Sequence, residues 1–213
     1  MNWKQTKHEL QNLISGKSSA SHDALIQTIT SYLRRGQSAS PVAQEKHQDK
    51  HKEREKLITF AKQHNLFVQN INQAKFIASG AEQKVYIKNE QSVLKLNDTI
   101  YFASWEDYFH NLLLHNYFFS DTAYSFLGFH FEDEILSAVV EQPFIKSDQP
   151  TNLDNVKTFM ISNDFINVKN HDYHHNDLGI ILEDLHDENV LTKKDTLYFI
   201  DTVFFINPKK FWD

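Results

Sequence analysis

Cysteine is absent from the 213 residues, so the chain can build neither a disulfide framework nor a thiolate metal site. Long apolar runs are missing as well. Stretches such as Leu112-Leu113-Leu114 fall far below the ~20 residues a membrane helix needs. The polar start Met1-Asn2-Trp3-Lys4-Gln5 carries no apolar core of secretory type. A cytoplasmic protein without a spanning segment is the expectation. Basic residues are outnumbered, 22 Lys+Arg against 28 Asp+Glu for a net charge of -6, and they gather mainly in the first third. No broad cationic surface is left for phosphate backbones, which makes nucleic acid a poor partner. What is abundant is aromatic: seventeen Phe and eight Tyr, mostly after position 100, point to an aromatic core in the second half.

The chain changes texture near residue 70. Trp3 to Ile14 and Ala24 to Leu33 repeat apolar residues at helical spacing, Gly36 to Pro41 reads as a turn or linker, and Val42 to Asn65 reads as a long charged helix. Residues 1–70 are therefore expected to be a helical extension. Beyond them, Lys75 to Ala78, Lys84 to Lys88 and Ser92 to Leu96 predict three short strands in a meander. Its second turn sets Val85 opposite Lys95, and period two puts Val93 on the face of Lys95. Such a face offers an apolar wall to a purine and an ammonium to phosphate oxygens, while Gly80 in the preceding loop lets backbone approach a phosphate. A helix is expected from Trp105 to Phe118, opened by a Ser104/Asp107 cap, and another hairpin over Tyr124 to Phe131 and Ile135 to Gln142.

The densest signal lies at Glu183-Asp184-Leu185-His186-Asp187-Glu188-Asn189-Val190-Leu191, followed by Leu197-Tyr198-Phe199-Ile200-Asp201. Asn189 stands five residues after Asp184 and Asp201 twelve after Asn189, with the polar turn Thr192 to Thr196 between two apolar runs. Folding about Asp195 brings Asn189 and Asp201 together at the open end of a hairpin. There an amide oxygen and a carboxylate can share a hard cation that keeps waters for phosphates.

These residues, in this order, resemble the protein-kinase-like superfamily, and closer still the reduced kinase domains of bacterial polyvalent proteins, over roughly Asn72 to Val203. Ser79 to Tyr86 is similar to the nucleotide-covering loop, Val93-Leu94-Lys95 to the strand of the phosphate-binding lysine, and Glu141-Gln142-Pro143 to the adenine-holding hinge. Asp184 to Asn189 resembles the catalytic loop of aminoglycoside phosphotransferases. The resemblance implies an α+β, reduced bilobal fold. An antiparallel N-lobe sheet would occupy 71–142 and a truncated C-lobe 143–213, with ATP and Mg2+ between the lobes. It also implies that Asp184 directs a hydroxyl, that Asn189 and Asp201 hold the metal, and that Lys95 neutralises phosphate with Glu106, or its rival Asp107, as helix partner. The implied activity is phosphotransfer to a protein or small-molecule hydroxyl, possible autophosphorylation included.

Departures from the pattern feed a second reading. Leu182 replaces the usual catalytic-loop histidine, Thr202-Val203 replaces Phe-Gly, the covering loop has one glycine, and twelve residues follow Asp201. The alternative is an inactive nucleotide-binding module, or one that docks partners through the N-terminal helices; nucleotidyl transfer would fit the same pocket. Of the histidines, His47 and His51 read as a solvated helix face, His171 to Asp177 as a polar turn, His186 as a hydrogen-bonded spacer, and His110 and His115 as interior residues.

Overall fold

The computed structural model describes residues 2–17, 23–35, 46–69, 71, 75–80 and 83–213. It is a mixed α/β chain with antiparallel sheets. No described helix is long and apolar enough to cross a membrane. The chain forms two compact units: Ser19–Phe109 with Tyr124–Phe144, and Met1–Ser18 with His110–Ala123 and Ile145–Asp213. This division in space does not follow the change of texture near residue 70.

The first unit holds α2 (Ala24–Arg34), α3 (Lys46–His64), β1 (Phe76–Ser79), β2 (Gln83–Ile87), β3 (Ser92–Asn97), the first turn of α4 (Trp105–Phe118), β4 (Ser125–Glu132) and β5 (Ile135–Pro143). Its five strands pair antiparallel in the order β1-β2-β3-β5-β4. Two layers of side chains follow from the pleat. Tyr86, Leu96 and Val139 face one way and are covered by Val68 and Ile71. On the α4 side of the core, Trp105 meets Phe129, Phe109 meets Phe126, and Phe126 meets Phe129 edge to face, the last pair with rings 5.2 Å apart. Such rings gain about 0.5–1.5 kcal/mol per pair beyond the area they bury.

The helix α4 starts where Ser104 says it should, its hydroxyl accepting Asp107 N–H at 3.0 Å. A second cap comes from far along the chain. The carboxylate of Glu53 on α3, only 3% exposed, accepts Trp105 N–H at 2.8 Å, satisfying one of the donors a helix start leaves open. Lys50 of the same helix donates to the carbonyls of Thr99 and Phe102.

The second unit contains α1 (Trp3–Ile14), the rest of α4, α5 (Leu153–Ser162), β6 (Ile166–Lys169), β7 (Asp172–His175), β8 (Ile180–Glu183), the hairpin β9 (Val190–Lys193) and β10 (Thr196–Phe199), β11 (Val203–Ile206) and α6 (Pro208–Phe211). Its main sheet runs β11-β8-β7-β6. The segment His171 to Asp177 is therefore not a polar turn. Asp172–His175 is a strand whose Tyr173 and His175 are buried in alternation, because these amphipathic rings pack inward while Asp172 and His174 keep the wetter face. The helix α1 is bound into this unit: Trp3 Nε1 donates to Asp164 at 2.7 Å, Lys7 to the Lys210 carbonyl, and Gln11 to the Phe211 carbonyl. Of the histidine pair on α3, His51 is exposed; the side chain of His47 lies outside the described residues.

Candidate active site

The hairpin that carries Asn189 and Asp201 turns without glycine. Lys194 and Asp195 both take positive φ, 48° and 60°, the pair of left-handed residues a two-residue turn of this hand requires. Asp148 accepts the Lys194 N–H and Gln149 donates to Asp195, which clasp the tip. The register runs from Lys193 opposite Thr196 to Val190 opposite Phe199. One step further, the Asn189 carbonyl accepts Ile200 N–H at 2.9 Å and Asp201 N–H at 3.3 Å. Asn189 and Asp201 thus stand side by side at the open end.

Asp184 joins them through the amide of Asn189, whose Nδ2 donates to the Asp184 carbonyl at 2.9 Å and to its Oδ2 at 3.0 Å. The amide nitrogen faces Asp184 and the His186 ring, so the amide oxygen is turned the other way. The His186 Nδ1 lies 3.2 Å from the Glu188 backbone nitrogen, and its Nε2 is shared between Asn189 Nδ2 at 3.1 Å and Asp184 Oδ1 at 3.3 Å. Asp184 adopts φ 67°, and its backbone N–H is held by Asp172 Oδ1 at 3.2 Å. The Asp184 side chain remains 56% exposed. Next to it, burial first, then the Asp172 charge, pushes the Glu183 carboxyl above its ordinary value, with Asp184 adding and His174 opposing.

In the five-stranded unit, Val85 pairs with Lys95, and Val93 with Gln142. Val85, Val93, Lys95 and Gln142 therefore share one face. Lys95 is 4% exposed with Nζ 5.5 Å from the centre of the Tyr124 ring, a distance suited to cation–π attraction. Glu141 faces the opposite way and pairs with Lys88 at 2.6 Å. Burial acts to raise its carboxyl, but the hydrogen bonds from Lys88 and Ser92 outweigh it and hold the group below its usual range. The ladder of β5 with β4 ends at Glu141, whereas that with β3 continues to Pro143. Gly80 follows β1, and a methyl group there would meet only Gln83 O at 3.9 Å; Ala81 and Glu82 lie outside the described residues.

A family model described as a serine/threonine/tyrosine kinase found in polyvalent proteins matches residues 50–208. The chain belongs to this family. No curated protein and no solved structure matches it. The kinase family assignment carries phosphotransfer as a general activity, and the match begins inside α3, the helix whose Glu53 caps α4.

Glu106 stands in the first turn of α4, where its carboxylate meets the Arg34 guanidinium. One finding lies outside what the sequence offered. Asp172, on a segment whose sequence predicts a polar turn, supplies the acceptor for Asp184 N–H. A strand register is needed to see that contact, since the two residues are twelve apart. His115 is interior and bonded at both ring nitrogens, to Thr202 and Thr122.

Proposed function

We propose that this kinase-family chain is an ATP- and Mg2+-dependent phosphotransferase whose acceptor is a hydroxyl of a protein, its own included, or of a small molecule. The observation that carries the reading is the grouping of Asp184, Asn189 and Asp201 at the mouth of the β9–β10 hairpin. The donor set fits magnesium: one amide oxygen turned away from Asp184 and one carboxylate are hard ligands, few enough to leave positions for water and phosphate. Bound by Asn189 and Asp201, the ion would spread the negative charge of phosphate oxygens. Asp184, exposed, held by the Asn189 amide and neighboured by the His186 ring, would orient an acceptor hydroxyl and take up its proton. Lys95 would offer its ammonium to phosphate, Val85 and Val93 the apolar wall, Gly80 the close backbone approach, and the Glu141-Gln142 backbone the hold on adenine.

The test is Asp201→Ala in the full chain. It should abolish Mg2+-dependent ATP turnover and autophosphorylation while leaving the melting temperature within a few degrees; undiminished turnover would end the proposal. The Thr202-Val203 pair after Asp201 favours a second reading, an inactive nucleotide-binding module or one that docks partners through its N-terminal helices. Stabilisation by ATP and Mg2+ without any label transferred to protein would select it. Intact mass after incubation with ATP separates phosphate addition from nucleotide addition.

A further inference from the structure

The residue after Asp201 is a threonine buried to 1% exposure. Its hydroxyl lies 2.7 Å from Nδ1 of His115, a fully buried histidine of α4. The other ring nitrogen sits 3.0 Å from the Thr122 carbonyl. A carbonyl only accepts, so Nε2 carries the hydrogen, Nδ1 is left as acceptor, and the Thr202 hydroxyl donates to it. Thr122, 1% exposed, has its own hydroxyl aimed at the Phe199 carbonyl at 2.5 Å. The two bonds grip the backbone on either side of Ile200-Asp201: Phe199 by Thr122, Thr202 by His115. All three side chains are buried, where a polar group that loses its partner is costly, so the grip has one low-energy arrangement.

We infer that His115, Thr202 and Thr122 form a positioning clamp that fixes Asp201 for metal binding. The inference rests on the reading of Asp201 as a metal ligand. The clamp does a job that a Phe-Gly pair at 202–203 could not do by hydrogen bonding. It couples a helix side chain to the metal carboxylate through one intervening backbone unit, so loss of the threonine hydroxyl should appear in Mg2+ affinity.

The experiment titrates Mg2+ against the full chain at fixed ATP and reads the midpoint of the thermal shift for wild type, Thr202→Val, Thr202→Ser, His115→Phe and Asp201→Ala. Thr202→Val keeps the shape and removes the donor; it should raise the Mg2+ midpoint about fivefold, the order expected for one buried hydrogen bond. Thr202→Ser, which restores the donor, should stay within about twofold of wild type. His115→Phe and the double variant with Thr202→Val should match the single valine variant, as partners in one interaction do. Should His115→Phe fail to fold, the valine and serine pair decides. A valine variant with an unchanged midpoint, or one that only lowers the melting temperature equally with and without Mg2+, overturns the clamp, while Asp201→Ala still abolishes the response. If Asp201→Ala keeps the response, the metal-ligand reading itself falls.

Discussion

Two glycines separate what this fold needs from what its ligand needs. Gly128 sits at φ +144° in β4, at the bulge where the register with β5 slips between Phe126 and Gly128. A methyl group there would lie 2.1 Å from the carbonyl oxygen of Leu66 and 3.0 Å from its carbon. Both are backbone atoms and cannot swing aside. The Leu66 to Val68 segment is bound at this point by Phe129 N–H to Leu66 O at 2.8 Å and Val68 N–H to Phe129 O at 2.7 Å. Gly128→Ala must push the segment away, losing both bonds at about 1 kcal/mol each, and must hold alanine in a backbone region that costs about 1–3 kcal/mol more. A loss of about 3–5 kcal/mol is a large share of the ~5–15 kcal/mol that holds a domain folded. Gly80→Ala meets only an ordinary contact at 3.9 Å, and its φ is not positive. Its folding cost should stay within about 0.5 kcal/mol.

Urea denaturation measures the first quantity and the ATP–Mg2+ thermal shift the second. Gly128→Ala should lose stability without a specific effect on nucleotide binding by the folded fraction. Gly80→Ala should denature like wild type and lose most of the nucleotide shift. A Gly128→Ala variant as stable as wild type would refute the bulge geometry, and a Gly80→Ala variant with an undiminished shift would refute the close approach of phosphate to that loop.

Other outcomes are open to measurement. Asp172→Ala, by freeing the Asp184 N–H, should lower kcat of phosphotransfer about tenfold with KM for ATP unchanged, and Asp172→Asn, which keeps an acceptor oxygen, should recover most of it. Burial lowers the His175 pKa, partly countered by Asp177 and Asp164. The folded state therefore binds its proton later than the unfolded chain, and stability is full above the ordinary imidazole value and falls as pH drops through it toward the lowered one. Melting temperatures between neutral and mildly acidic pH should decline in wild type more than in His175→Phe, and equal slopes would exclude the residue as the cause. Glu9 and Tyr117 bond at 2.8 Å, and burial with that bond pushes the phenol up to about 12, so ultraviolet titration of Tyr117→Phe should lack one late-ionising tyrosine.

The strands β2 and β3, the helix α4 and the β9–β10 hairpin were legible because alternation, a Ser104 cap and a polar turn are local signals. Asn189 and Asp201 came with them, since a hairpin's register fixes which residues share its open end. The family was legible from ordered spacing alone. What could not be read was set by contacts between distant segments. The strand β7 has a histidine-rich sequence whose His175 packs against Trp3, far off in the chain, and Phe165, outside the strand, at ring separations of 4.3 and 5.0 Å. At the first turn of α4, the Arg34 guanidinium that meets Glu106 arrives from α2, a contact no local spacing announces. The bulge at Gly128 depends on Leu66, which no pattern near either residue announces.

The way the unit that holds Asp184 and Asp201 is tied together explains why α1 cannot be treated as ornament. Asp201 leads directly into β11, four residues long, which is too short to fix itself by one ladder with β8. The backbone there is tied instead to α4 by Asn111 Oδ1 accepting Phe204 N–H at 2.8 Å and by Thr202 against His115. Beyond β11, α6 seats on Gly179 at φ +67°, where a methyl group would lie 2.5 Å from Phe211 N. Its last carbonyls are taken by Lys7 and Gln11 of α1. These anchors come from segments earlier in the sequence. Because α1 holds α6, and α6 follows β11 by a single residue, removing residues 2–15 should loosen β11 as well as the helix it touches. Hydrogen exchange should then quicken at Val203–Ile206 in the truncated chain, and unchanged protection there would show that α4 alone supports the strand.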